Sequence, residues 1–86
     1  AALPYSVWSL RVERFIEVFE EIAPLPFIEE AAIFGSEIHI MCEKGFPLKR
    51  ELAKALRGKG IAGFAIEEVG ATLEDVFVSH ARRLDV

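Results

Sequence analysis

The sequence predicts a single α+β domain over residues 1–86: an antiparallel sheet with two helices on one face and a further helix at the C-terminus. Three observations predict it. The spacing of apolar residues switches repeatedly between a period of two and a period of about 3.6, the marks of half-buried strands and amphipathic helices. Glycine or proline stands at most of the switches. The composition, 52% hydrophobic with seven Phe, supplies the efficient core needed by a chain this short, which buries only somewhat more than about 60% of its unfolded surface.

Taken in order, Ser6 to Val12 alternates Trp8, Leu10 and Val12 with Ser9 and Arg11, the pattern of a first strand. From Glu13 the period lengthens. Phe15, Ile16, Phe19 and Ile22 fall on one helical face and Glu13, Arg14, Glu17, Glu20 and Glu21 on the other, until Pro24 and Pro26 end the helix. Phe27 to Phe34 and Glu37 to Cys42 read as two strands joined by Gly35-Ser36, where glycine supplies the positive φ of a tight hairpin. Pro47 suits a first helical position, and Leu48, Leu52, Ala55 and Leu56 form the stripe of a second helix that Gly58-Lys59-Gly60 terminates. Ile61 to Val69 reads as a fourth strand with Phe64 and Ile66 pointing one way. Gly70 breaks it, and Thr72, with Asp75 three residues on, resembles the capping box of a last helix striped by Leu73, Val76, Phe77 and Leu84. Strand, helix, strand, strand, helix, strand is the split βαβ, ferredoxin-like order, with both main helices on one face of the sheet. The last helix then either covers the open face or docks on a partner.

Charge and composition exclude several function classes. The net charge of −4 repels phosphate backbones, so nucleic acid is not expected as a partner. The RNA-binding version of the fold stacks bases on strand aromatics, and Glu37-Ile38-His39-Ile40-Met41-Cys42 offers no such platform. There is no Asn and no Gln, which removes sites that hold an oxyanion or phosphate with a side-chain amide. Cys42 has no intrachain partner, which points to a reducing compartment. No apolar run approaches the roughly 18 residues of a membrane span, and Ala1-Ala2-Leu3-Pro4-Tyr5 lacks the basic and apolar regions of a signal peptide. A cytoplasmic location is expected. The chain opens without methionine, which suits an excised domain and equally suits removal of a starting Met.

No motif assembles a catalytic or metal site. Gly58-Lys59-Gly60-Ile61-Ala62-Gly63 matches the Gly-x-Gly-x-x-Gly string of dinucleotide sites, but it follows a helix and precedes a strand, so no helix N-terminus is aimed at it; a C-cap and turn is the expected role. His39 and Cys42 are three apart on a strand and point to opposite faces, so they cannot close on one metal. Ser6, Ser9, Ser36 and Ser79 lack a nucleophile-elbow context, and Ser79 and His80, as helix neighbours, face different directions. The adjacent carboxylates Glu29-Glu30, Glu67-Glu68 and Glu74-Asp75 split across faces on strands and line a solvated surface on helices.

Gly70-Ala71-Thr72-Leu73-Glu74-Asp75-Val76-Phe77-Val78, following a strand near the C-terminus, resembles the ending of ABC transporter ATPase subunits of the drug- and polysaccharide-export type. The preceding pattern is similar as well: an opening strand ending Leu10-Arg11-Val12, an acidic helix, a hairpin near Gly35, and an Ala/Leu-rich helix ending Gly60-Ile61. Ser79-His80-Ala81-Arg82-Arg83 departs from the family's Leu-Thr-Gly type ending. The resemblance implies a C-terminal accessory domain without catalysis of its own, in which Leu73, Glu74, Asp75, Val76, Phe77 and Leu84 make contacts. The partners it implies are the upstream nucleotide-binding domain, the twin ATPase subunit and, indirectly, a membrane permease. Walker A and Leu-Ser-Gly-Gly-Gln-like strings are missing from these 86 residues, so ATP and magnesium are expected only in an upstream domain, and no cofactor or metal here. The alternative from the residues alone is a stand-alone ligand-sensing module that forms a homodimer sheet to sheet. An enzyme would need a histidine or carboxylate with a strongly displaced pKa in a pocket.

Overall fold

The structure, a computed structural model, describes residues 5–69; the predicted last helix from Thr72 lies outside them. Six elements follow the expected order: β1 (Tyr5–Arg11), α1 (Phe15–Ile22), β2 (Glu30–Phe34), β3 (Glu37–Glu43), α2 (Leu48–Gly58) and β4 (Ala65–Glu68). They build one sheet in the order β2-β3-β1-β4 with every neighbouring pair antiparallel. β3 thus fills the gap that the β1–α1–β2 crossover leaves open, which is the ferredoxin-like arrangement.

Strand alternation assigns each side chain to a face. Trp8 and Leu10 of β1, with Ile38, Ile40 and Cys42 of β3, meet Val18 and Ile22 of α1 and Leu48, Leu52 and Leu56 of α2 in one core. Complete burial of a Leu or Ile contributes about 1.5–3 kcal/mol, and Leu10, Ile22, Ile38, Ile40, Leu48, Leu52 and Leu56 are all completely buried. Phe27 stacks on Phe46 with ring centroids 5.0 Å apart, closing the core where the loops before β2 and α2 meet.

The helices differ from expectation in one face and one boundary. α1 buries Val18 and Ile22, flanked by half-buried Phe15 and Phe19, and leaves Ile16 59% exposed. Residues 15, 18, 19 and 22 form the tighter i, i+3, i+4, i+7 stripe, so Val18 takes the place expected for Ile16. Pro47 is the N-cap of α2 rather than its first helical residue, and its carbonyl accepts the Glu51 N–H at 3.1 Å. α2 buries Ala53, with Ala55 half-buried at its flank.

Two strands are shorter than their apolar runs. Residues 27–29 belong to the turn region before β2, and 61–64 to the loop before β4. Ile61 and Phe64 still pack on the core from that loop. Gly35, at φ 64, opens the hairpin whose last pair is Phe34 with Glu37. Among the described residues no helix is long and apolar enough to cross a membrane.

Candidate functional site

The face of the sheet away from α1 and α2 carries the polar side chains of the interior. Ser9 and His39 stand opposite each other on β1 and β3, and Arg11 stands opposite Glu37. Glu37 is the hub. Its Oε1 accepts the Ser9 hydroxyl at 2.7 Å and lies 3.4 Å from His39 Nε2, while its Oε2 accepts Arg11 Nε at 3.0 Å. Phe34 stacks on the His39 ring at 4.6 Å and 15°. The Ser9 hydroxyl, and after it Arg11 and His39, hold the Glu37 carboxyl below the ordinary carboxylate range against partial desolvation. An ionised carboxylate only accepts, so the proton of this contact sits on His39 Nε2; the other ring nitrogen, Nδ1, is buried and has no hydrogen-bond partner among the described residues.

The same geometry limits the chemistry. In a hydrolytic triad the serine gives its proton to the histidine, and the carboxylate orients that histidine. Here serine and histidine share one carboxylate oxygen, and the hydroxyl proton points at Glu37. A carboxyl held low is also a poor proton donor near neutral pH. The arrangement is a polar clasp between the two central strands.

Cys42 lies on the opposite face from His39, fully buried under the helices, as their three-residue spacing requires. Burial pushes its thiol pKa up, and the nearby Glu68, Glu29 and Glu43 charges add to this. Among the described residues no group of three or more His, Cys, Asp and Glu is placed to hold a metal.

The glycine string at 58–63 is a helix terminus. Gly60 has φ 78, Ile61 N–H donates to Leu56 C=O at 2.9 Å, and Gly60 N–H donates to Arg57 C=O at 3.0 Å, which together make a Schellman cap. Its amides close the end of α2 and do not fit a phosphate. Beside it runs an open groove of about 660 Å³ between α1 and the α2–β4 loop, lined by Glu13, Glu17, Glu20 and Glu21 facing Lys59. Lys59 Nζ reaches Glu21 at 3.3 Å. Arg14, at the mouth of the groove, holds φ 56, the only positive φ at a non-glycine among the described residues.

Leu73, Glu74, Asp75, Val76, Phe77 and Leu84, the residues expected to make contacts, lie outside the described residues. The cluster of Ser9, Arg11, Glu37 and His39 was not singled out from sequence; strand alternation does put each pair on one face, but only the β1–β3 register brings the pairs together. Comparison of the chain with protein-family models, with curated proteins and with solved structures finds no match.

Proposed function

We propose that this is a non-catalytic C-terminal accessory domain of the ATP-binding subunit of an ABC exporter, acting in the cytoplasm at the inner face of the membrane. Its work is contact: through the segment holding Leu73, Glu74, Asp75, Val76, Phe77 and Leu84 it adjusts how two ATPase subunits assemble beneath their permease. ATP and magnesium would be bound by a domain upstream of Ala1. One observation supports this reading above others. The strand ending at Arg11, the acidic helix α1, the hairpin at Gly35 and the Ala/Leu-rich helix closed at Gly60-Ile61 occur in the order of the exporter subunits, and the Gly70 to Val78 string follows β4 at once.

Intact-mass measurement and peptide sequencing of the native polypeptide test it. The expected result is an upstream domain carrying Gly-x-x-x-x-Gly-Lys-Ser/Thr and a Leu-Ser-Gly-Gly-Gln-like signature. A native chain that starts at or just before Ala1 overturns the proposal. The groove beside α1 favours a second reading, a small-ligand sensor. A metabolite that raises the melting temperature of the wild-type domain, and fails to do so in Glu17→Lys, would support that one.

A further inference from the structure

Strand β2 stands at one end of the order β2-β3-β1-β4, and its sequence, Glu30-Ala31-Ala32-Ile33-Phe34, holds no Lys or Pro of the kind that blunts an open sheet edge. The turn at Gly35-Ser36 has two residues, so Phe34 and Glu37 form a hydrogen-bonded pair, and such pairs alternate along the hairpin. The N–H and C=O groups of Ala31 and Ile33 therefore point away from β3. Among the described residues, neither makes a hydrogen bond outside the sheet.

Exposed apolar surface gathers at the same edge. The large hydrophobic side chains left exposed among the described residues are Ile16, at 59%, and Ile33, at 39%. Ile33 stands opposite Ile38, on the face that carries the helices. α1 packs on β2 and β3, and its flank with Glu17, Val18 and Glu21 lines the groove toward the α2–β4 loop. At about 100° of turn per residue, Ile16 falls on the other flank, the one turned toward β2. Arg11 pairs with Glu37, which sets the start of α1 and the Gly35 turn at one end of the sheet, so Ile16 and Ile33 belong to that end together.

We infer that β2 is a dimerisation edge: a second copy of this chain pairs with it antiparallel, about a twofold axis through Ala32, and joins the two four-stranded sheets into one. The strand's own sequence selects this occupant. In that register Ala31 faces the second copy's Ile33, and Ile33 faces its Ala31, so a small side chain meets a large one twice. The outward N–H and C=O groups of both residues gain partners. Glu30 faces Phe34, so no carboxylate opposes a carboxylate, as it would in a register centred on Glu30. A twofold axis normal to the sheet keeps α1 of both copies on one face and sets one Ile16 beside each end of the seam. Five residues a side make a small seam, in the class of weak, reversible interfaces. The inference goes beyond the exporter proposal, which places the twin contact in the C-terminal segment, and rests on β2 and α1 alone.

The test is analytical ultracentrifugation and NMR of the 86-residue chain over a concentration series reaching the millimolar range. The expected result is a monomer–dimer equilibrium in which amide exchange at Ala31 and Ile33 slows as the dimer forms. In a mixture of labelled and unlabelled chains, an isotope-filtered cross-peak should join the Ala32 Hα of one copy to that of the other, the close approach of a pair that is not hydrogen-bonded. Ile33→Lys should weaken association by about tenfold or more, because the symmetry applies the change twice; if that variant does not fold, the wild-type Ala32 cross-peak decides the matter. A chain that stays monomeric throughout the series overturns the inference. So does a dimer whose intermolecular cross-peaks lie elsewhere and which Ile33→Lys leaves intact. Ala31 and Ile33 amides protected in the monomer at every dilution mean that another part of the same chain pairs with β2, and that result overturns it as well. None of these outcomes depends on what lies upstream of Ala1, so failure of the seam and failure of the exporter proposal are separately visible.

Discussion

Glu37→Ala is the most informative single substitution in the described fold. It removes the acceptor shared by Ser9 and His39, both more than nine-tenths buried, and leaves their O–H and N–H without the partner they now have. A buried donor left unpaired costs about 1–3 kcal/mol. The Ser9 bond, at 2.7 Å to an ionised oxygen, lies at the upper end of that range; the 3.4 Å histidine contact adds less. The ion pair with Arg11, whose side chain is 65% exposed, adds little on either side. The expected loss is about 2–3 kcal/mol, a fall in melting temperature of roughly 10–20 °C at 4–8 °C per kcal/mol for a domain of this size. Glu37→Gln keeps an acceptor in place and should lose about 1 kcal/mol. The assay is urea denaturation of wild type and both variants between pH 7 and pH 3. Because the folded-state pKa of Glu37 is lowered from 4.5, its advantage over Gln is fully present above that value and is lost as pH falls through the lower folded value. A Glu37→Ala protein within 0.5 kcal/mol of wild type, roughly the scatter of ordinary surface changes, would refute the clasp. So would a wild-type advantage over Glu37→Gln that persists unchanged to pH 3.

Four further outcomes follow from the rest of the fold. Leu52→Ala, at a completely buried position between α2 and the sheet, should cost about 2–5 kcal/mol by urea midpoint. Gly60→Ala isolates backbone strain, since an added Cβ meets nothing within 4 Å and φ is 78; its cost should be about 1–2 kcal/mol, whereas Arg14→Gly at φ 56 should stabilise by up to about 1 kcal/mol in the same measurement. Cys42, buried with its thiol pKa pushed up, should react with iodoacetamide in native buffer only as fast as the domain opens, and the rate should climb through the urea transition.

The order of elements was legible because it is written in local periods. Each strand and helix from Tyr5 to Glu68 announces itself within about ten residues, and Gly35 and Gly60 mark reversals that sterics allow to few other residues. Strand ends were less legible. Phe27 and Ile61 are apolar because they pack on the core from loops, and sequence cannot separate that from membership of a strand. Ile16 shows the same limit on a helix, where the expected stripe held Ile16 and the packing of α1 on the sheet buries Val18 instead.

The clasp was not legible because its members meet through a register set across 28 residues. Ser9 faces His39 and Arg11 faces Glu37 only when β1 and β3 are paired as they are. A slip of one residue would set Ser9 opposite Ile38 or Ile40 and turn Leu10 toward the second face, so each step away from the observed register buries a polar group among apolar ones. The hairpin fixes β3 against β2 through the turn at Gly35, but nothing local fixes β1 against β3. A flat row of aliphatic pairs there would tolerate sliding by two residues with little loss. Glu37, held ionised by Ser9, Arg11 and His39 at once, makes that slide costly as well, because the hydroxyl and the imidazole would then have to find a second buried acceptor. The residues that look most like a catalytic group are therefore the ones that hold the two central strands in register.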